Sequence, residues 1–566
     1  MREQLPPPLA AAVDRRLAAF ADEHLPERLW QADPTLWKPG DEGHQRVVRN
    51  ALGWLNVFEA VRGGLDGLRA LADEVRAEGY RHAVLLGMGG SSLAAEVMQA
   101  VVGPAPGYLD LRVLDSTDPA AVAAVERSLD LERTLFIVAS KSGTTTETAC
   151  FHAYFHDLLR RLDGDLAGRH FVAVTDEGTP LHEQAVAQGF RAVFVNPGDI
   201  GGRYSALSYF GLVPAALMGL DLERLLDGAR AMARACGPDV PPAEAPALRL
   251  GALLAEAALA GRDKLTLAFA PPLAPLGAWV EQLVAESTGK EGTGILPVDR
   301  EELGPPDLYG DDRLFVAAAP AGAAGTAAGG LLGALAEAGH PVASWEVDDV
   351  AALGAEFLRW ELAVAVAGHV LGIDPFDQPN VQESKDNTKA LLAGYVASGE
   401  LLEALPGGEG QRVAFRADEP GLAAALAELL AAASPPEYVA LQAWVAPDEG
   451  VWQRLQRVRH RIREARRVAT TLAWGPRYLH STGQYHKGGP DRGLFLQLVG
   501  HDPEDVPVPG QRFSFSVLKR AQARGDLGAL RAHGRRVLRV CLGDDPGAGL
   551  ERLAAAVDEA LAAAAG

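Results

Sequence analysis

Cysteine is nearly absent from this chain: three residues in 566, Cys150, Cys236 and Cys541, stand far apart and in no CxxC spacing. A set so sparse and odd excludes a disulfide scaffold and a cysteine zinc site, and it fits a reducing compartment. All three read as small apolar fillers. Long apolar runs are missing too, so no segment is expected to span a bilayer. The apolar patch near the N-terminus is broken by Asp14, Arg15 and Arg16 and does not resemble a signal peptide. The expected location is the cytoplasm. Positive charge is the third shortage, with 53 Lys and Arg against 74 Asp and Glu and a net charge of −21. That balance works against nucleic acid or an anionic membrane as partner. An anionic substrate would need specific local donors. The histidines form no HxxxH or HxH arrangement joined to carboxylates, so neither a metal nor another cofactor is expected.

What the chain has in quantity is alternation. Residues 1–80 read as helical, with Val47, Ala51, Leu55, Phe58 and Val61 at three- and four-residue spacing. Five apolar runs then alternate with helical patterns: HAVLLGMGG, LRVLDS, TLFIVASKSG, HFVAVTD and RAVFVN. Continuous apolar strands separated by helices predict a parallel doubly wound sheet. The alternation returns through KLTLAFAPPL, GILPV and RLFVAAA after a junction at GPDVPPAEAP (237–246). The Ala/Gly-rich stretch 318–338 is expected to be a helix with its approach loop. A further α/β region with strands near EYVALQAWVAP, GLFLQLVG and RRVLRVCLG closes the chain. The expected divisions are a helical segment (1–80), two α/β domains (81–240 and 241–398) and a C-terminal α/β extension (399–566).

Two loops between strand and helix could hold an anion. Gly87-Met88-Gly89-Gly90-Ser91-Ser92 lets backbone approach a ligand at a helix start. It is not the dinucleotide fingerprint, since Ser92 replaces the third glycine. A tight turn with no ligand reads equally well. The second loop, Ser140-Lys141-Ser142-Gly143-Thr144-Thr145-Thr146-Glu147-Thr148, gathers six hydroxyls, an amine and a glycine at a helix start. Hydroxyls and amides can satisfy phosphate oxygens while Lys141 supplies charge. A plain helix cap would need one such hydroxyl. No GxxxxGK precedes it, so a phosphorylated metabolite suits it better than ATP.

Taken in this order, the two loops resemble the sugar isomerase (SIS) domain. DIGGRYSALSYFG (199–211), AESTGKEG (285–292) and FDQPNVQESK (376–385) resemble three segments of the glucose-6-phosphate isomerase family, in the family's order. WGPRYLHSTGQYHKGGPDRGLFLQL resembles the isomerase half of bacterial transaldolase/isomerase fusions. The fold this implies is α/β: two SIS-type doubly wound domains with an N-terminal helical segment and a C-terminal α/β extension. The activity it implies is an aldose–ketose isomerisation of a sugar phosphate through a cis-enediol. A homodimer with the site near its interface is implied as well. Two other readings remain. One is an isomerase that also accepts mannose 6-phosphate; the other is a non-catalytic phosphosugar-binding regulator, which would not need Glu286, Arg203 and Lys385 together.

Such a reaction needs a carboxylate that takes a proton from one carbon and returns it to the next. Glu286, near the end of the helix GAWVEQLVAES, is the candidate, and the family analogy makes it the base. Gln282, one turn earlier, should share its face. Arg203 follows two glycines that let its guanidinium aim inward at a developing oxyanion. In the family, the lysine matching Lys385 assists ring opening; Asn380 and Gln382 depart from the family's usual glycine and glutamate there. His340 and His369 read as structural. The loop His480-Ser481-Thr482-Gly483-Gln484-Tyr485-His486 resembles the family's Gly-Gln-His loop. His480 or His486 is therefore the expected ring-opening group, and in the implied dimer it could come across the subunit interface. Phosphate contacts are expected from Gly90, Ser91, Ser140, Lys141, Ser142, Thr144 and Thr145.

Overall fold

Short apolar runs bounded by Gly, Pro and Asp become strands, and the longer amphipathic segments between them become helices. The computed structural model describes residues 1–322, 327–401 and 414–563. The first element corrects the sequence reading: within the segment expected to be helical lies a strand, β1 (Arg2–Gln4). It pairs antiparallel with residues 342–344, far along the chain. Helices Pro7–Asp22, Leu25–Trp30, Glu42–Arg49 and Leu65–Ala77 make up most of the rest of that segment.

The first sheet contains β2 (His82–Leu86), β3 (Asp110–Leu114), β4 (Thr134–Ala139), β5 (Phe171–Thr175) and β6 (Ala192–Val195). All are parallel, in the order β3-β2-β4-β5-β6. The second sheet contains β7 (Lys264–Leu267), β8 (Leu296–Val298), β9 (Arg313–Pro320) and β10 (Val342–Val347), with β1 on its edge: β8-β7-β9-β10-β1. The third contains β11 (Ala414–Arg416), β12 (Tyr438–Trp444), β13 (Ala469–Trp474), β14 (Gly493–Gly500) and β15 (Arg536–Gly543), in the order β13-β12-β14-β15-β11. Its strands are parallel as well.

The three sheets share one winding. In each, the chain leaves one inner strand (β2, β7 or β12) for its neighbour on one side, then returns to the other side for the next, so a crevice opens between β2 and β4, β7 and β9, β12 and β14. Ligands of such sheets bind outside the carboxyl ends of the strands at this switch point. In the first sheet the loops there are Gly87–Ser92 and Ser140–Thr145.

Helices Leu222–Ala235 and Pro246–Leu259, on either side of the 237–246 junction, both pack on helix Gly354–Leu371. One apolar core runs from Val13, Leu17 and Phe20 through Trp54, Leu85 and Ile137 to Leu254, Leu265 and Val316. The C-terminal sheet has a core of its own and shares two others. Phe515, Leu518 and Ala521 join Leu86, Phe136, Phe151 and Phe155 against the first sheet. Tyr438, Tyr485, Phe495 and Leu527 join Ala285, Leu296 and Val298 against the second. Of the 318–338 stretch, Ala327–Glu337 is helix, as expected, while 323–326 lie outside the described residues. Among the described residues no helix is long and apolar enough to cross a membrane.

Candidate active site

The glycine loop after β2 is where separate parts of the chain meet. Gly89 has φ +53°, the left-handed region that favours glycine. A Cβ there would sit 2.8 Å from the His480 carbonyl oxygen and 2.9 Å from Gln282 Nε2. A Cβ on Gly90 would press into the Gly202 carbonyl and lie 2.7 Å from the Arg203 nitrogen. Ser205 Oγ donates to the Gly90 carbonyl at 3.2 Å. Both glycines are therefore demanded by close backbone approach. Beside them, the loop after β4 orders its hydroxyls in pairs, Ser140 with Thr145 at 2.9 Å and Ser142 with Thr144 at 2.8 Å. Helix Thr146–Asp163 begins directly after it, with no side-chain cap from Thr145. Its first amides and the positive end of its dipole face the loop.

Helix Leu276–Thr288 brings Gln282 and Glu286 to the same place. Their four-residue spacing stacks them on one face, and Gln282 Nε2 donates to Glu286 Oε2 at 3.0 Å and to the His480 carbonyl at 2.8 Å. Glu286 is 8% exposed. Arg203, 3% exposed, sets its Nη1 3.6 Å from Glu286 Oε1. The rest of the guanidinium is fully engaged. Nε donates to Ser287 Oγ at 2.7 Å, Nη1 to Gln378 Oε1 at 2.7 Å, and Nη2 to the carbonyls of Pro375 (2.6 Å) and Asp377 (2.9 Å). A planar cation so held keeps its position while charge changes beside it.

His480 reaches the first sheet from the C-terminal unit. Its Nε2 lies 2.9 Å from Glu147 Oε1, in the first turn of helix Thr146–Asp163. Gln522 Nε2 donates to the same oxygen at 2.7 Å, and Thr117 Oγ1 donates to Gln522 Oε1 at 2.7 Å. Burial pushes the Glu147 pKa up, but the charge and hydrogen bond of His480, with a smaller contribution from Lys385, bring it below the ordinary carboxylate value. Glu147 is the residue that the sequence reading passed over. It stands inside a quoted motif, yet nothing local shows that it faces a histidine 333 positions away.

The expected residues do not all converge. His486 is buried in the C-terminal unit, with Nδ1 2.9 Å from the Tyr438 hydroxyl and its ring against Phe495. Burial, with Lys487 and Arg535 nearby, drives its pKa well below the ordinary histidine value. It is held in the core of the C-terminal unit by Tyr438, and of the two histidines His480 is the one that contacts Glu147 and Gln282. Lys141 is turned onto Asp176, where it forms a close ion pair and donates to the Gly198 carbonyl at 3.0 Å. Its charge is therefore largely matched within the protein, contrary to the expectation that it serves an anion. Lys385 lies exposed on helix Pro379–Ser398, within electrostatic reach of Glu147. Ser91 sits in the 3-10 turn Gly89–Ser91, half-buried. His340 packs on Tyr309 and Phe315, and His369 binds Glu23 and the Leu36 carbonyl; both are structural.

Among the described residues one group of donors, His44, Asp374 and Asp377, comes close enough to share an ion. Lys290 already brings a cation to it, 2.6 Å from Asp377 Oδ1.

The model of the phosphoglucose isomerase family matches residues 53–296. A probable glucose-6-phosphate isomerase of Natronomonas pharaonis is 33% identical, over 55% of this chain and 78% of that protein. A glucose-6-phosphate isomerase of Thermus thermophilus is 31% identical, over 65% of this chain and 97% of its own length. Among solved structures, a hypothetical protein of Thermus thermophilus superposes with a TM-score of 0.59 at 27% identity, covering 69% of this chain and all of that one. A glucose-6-phosphate isomerase of Chlamydia trachomatis shares the fold, with a TM-score of 0.51 at 23% identity over 63% of this chain and 76% of that one.

Proposed function

The chain belongs to the phosphoglucose isomerase family, and we propose that it interconverts glucose 6-phosphate and fructose 6-phosphate with Glu286 as the proton carrier. The observation that carries this reading is the Glu286 carboxylate, buried, oriented by Gln282 and set 3.6 Å from a fully engaged arginine.

The phosphate is received at the switch point of the first sheet. Ser140, Ser142, Thr144 and Thr145 offer hydroxyls, Gly90 and Ser91 offer backbone, and the start of helix Thr146–Asp163 offers amides and a positive dipole end. With Lys141 committed to Asp176, neutral donors take most of this work. His480 opens the sugar ring. A proton on Nε2 held by Glu147 leaves Nδ1 to exchange a proton with the ring oxygens. Glu286 then removes the proton from C2 of the aldose and returns it to C1 through the cis-enediol; the ketose runs the same path in reverse. The negative charge of the enediolate develops beside Arg203, whose side chain needs no rearrangement to meet it. Gln282 Oε1 is buried without a partner among the described residues and is an acceptor for a sugar hydroxyl. Lys385, whose charge is felt at Glu147, assists ring opening.

A cytoplasmic location and a homodimer belong to the same reading. The assembly is checked by sedimentation equilibrium. The activity is tested by conversion of fructose 6-phosphate to glucose 6-phosphate in a coupled dehydrogenase assay with a chelator present. Wild-type turnover is expected, with a fall of about 10²–10⁴-fold in Glu286→Gln, the range for a general base. An unchanged variant would remove Glu286 from this role.

A further inference from the structure

His480 ends the turn Arg477–His480 that follows β13, and Glu147 of the first unit meets its ring. We propose that one chain carries one complete active site in cis: the C-terminal α/β unit is a permanent roof that supplies His480, and no second copy contributes to the chemistry. This inference rests on the roles given above to Glu286 and His480.

Three sets of contacts carry it. The first fixes the turn that bears the histidine. Arg477, three residues before His480, pairs closely with Glu96 and lies 3.0 Å from Asp115, both on the first unit. The second surrounds the site. Gln522 binds Glu147, Lys519 Nζ donates to Asp118 at 2.7 Å, Gln484 Nε2 donates to the Gly289 carbonyl at 2.9 Å, and the Gly292 amide donates to the Gly488 carbonyl at 2.9 Å. A Cβ on Gly289 would collide with the backbone and Cβ of Tyr485. Backbone at this distance shows the two elements in direct contact.

The third set ties the loop bound to Arg203 to the same unit. Arg203 holds the carbonyls of Pro375 and Asp377 and the side chain of Gln378. Two residues later, the Asn380 amide donates to Gln484 Oε1 at 2.9 Å. Helix Pro379–Ser398 then runs along helix Phe515–Ala532, close enough that a Cβ on Gly525 would lie 3.2 Å from the Thr388 nitrogen. The Leu401 carbonyl accepts from Arg524 at 2.6 Å, and Ala414 is already in register with Arg539 on β15. The segment bound to Arg203 thus continues into a helix that lies against the C-terminal unit. A unit taken from a neighbour would have to remake every one of these contacts.

The test uses two variants of the full chain, Glu286→Gln and His480→Asn, with different affinity tags. They are co-expressed, and the mixed oligomer is isolated by tandem purification. Circular dichroism verifies the fold of each, and His480→Gln serves as a second histidine variant. Loss of activity in each variant alone tests the roles of the two residues; the mixed species tests where the histidine comes from. With sites completed in cis, every site in the mixed species has one defect, and activity stays at the level of the single variants. With sites completed by exchange, one site in each mixed dimer has both wild-type residues, and half the wild-type activity returns, which would overturn the proposal. If no mixed oligomer forms and the wild type turns over at full rate as a monomer in sedimentation, the cis site stands. A histidine variant as active as the wild type overturns the proposal together with the role of His480.

Discussion

Gly90 measures how little room the site leaves. Its missing Cβ is the space taken by the Gly202–Arg203 backbone, so a methyl group there must displace the arginine's loop. Gly90→Ala is expected to lower kcat/KM at least tenfold and to lower the melting temperature, checked by steady-state kinetics and thermal melts. A second residue gives a pH-dependent outcome. Burial, then the neighbouring Asp299, pushes the Glu281 carboxyl from 4.5 up to about 8, against the pull of Arg300 and Arg477. Between those values the folded chain holds a proton that the unfolded chain has lost, so this group's contribution to stability falls as pH rises through that window. Glu281→Gln removes the loss. Its gain in melting temperature over the wild type should grow from pH 5 to pH 8, and a gain independent of pH would contradict the assignment. At this scale the sequence reading named Glu286, Gln282, Arg203 and His480, which the structure brings together, because each stands in a recognisable segment. It left His480 and His486 unresolved, since burial separates them and spacing does not report burial.

The loop before helix Pro379–Ser398 shows how an element is held from outside itself. Lys290 Nζ, buried, donates to the Asp374 carbonyl (2.7 Å), the Asp377 carbonyl (2.6 Å) and Asp377 Oδ1 (2.6 Å). Arg203 binds the same stretch from the other side. Lys290→Met fills similar space but leaves those acceptors unpaired, a cost of about 1–3 kcal/mol for each buried group left unsatisfied. Lower stability in urea and a reduced kcat are expected together, because Gln378 and the Arg203 contacts move with the loop. Stability lost with kcat intact would separate the loop from the site. Strands of the first two sheets were legible where apolar runs were continuous. β1 was not, because REQ has no strand pattern and exists as a strand only by pairing with β10. β11 and β13 escaped for related reasons: β11 has three residues, and ATTLAW leads straight into the motif around His480.

For the whole molecule, the missing β13 and β11 hid the main architectural fact. Without them the C-terminal region reads as an extension; with them it is a third sheet wound like the other two. Its helix Phe515–Ala532 joins the core of the first sheet, where Phe515 stacks on Phe151 of helix Thr146–Asp163. Its Tyr438, Tyr485 and Phe495 close over Ala285, on the helix that carries Glu286. Units that share cores should lose them together, since each exposes the other's apolar surface on leaving. Calorimetry is expected to show one unfolding transition for the chain. Two well-separated transitions would mean that the roof departs first and is not integral to the site.

The central claim is that Glu286 moves a proton between C2 and C1, and isomerisation in D2O reads that proton. The reaction of glucose 6-phosphate is followed by NMR with the wild type and Glu286→Gln side by side. The account predicts that in the wild type C1 of fructose 6-phosphate receives the hydrogen from C2, or solvent deuterium where the Glu286 carboxyl exchanges before delivery, while in the variant both transfer and exchange fall about 10²–10⁴-fold. Turnover and deuterium incorporation at wild-type rates in Glu286→Gln would contradict it.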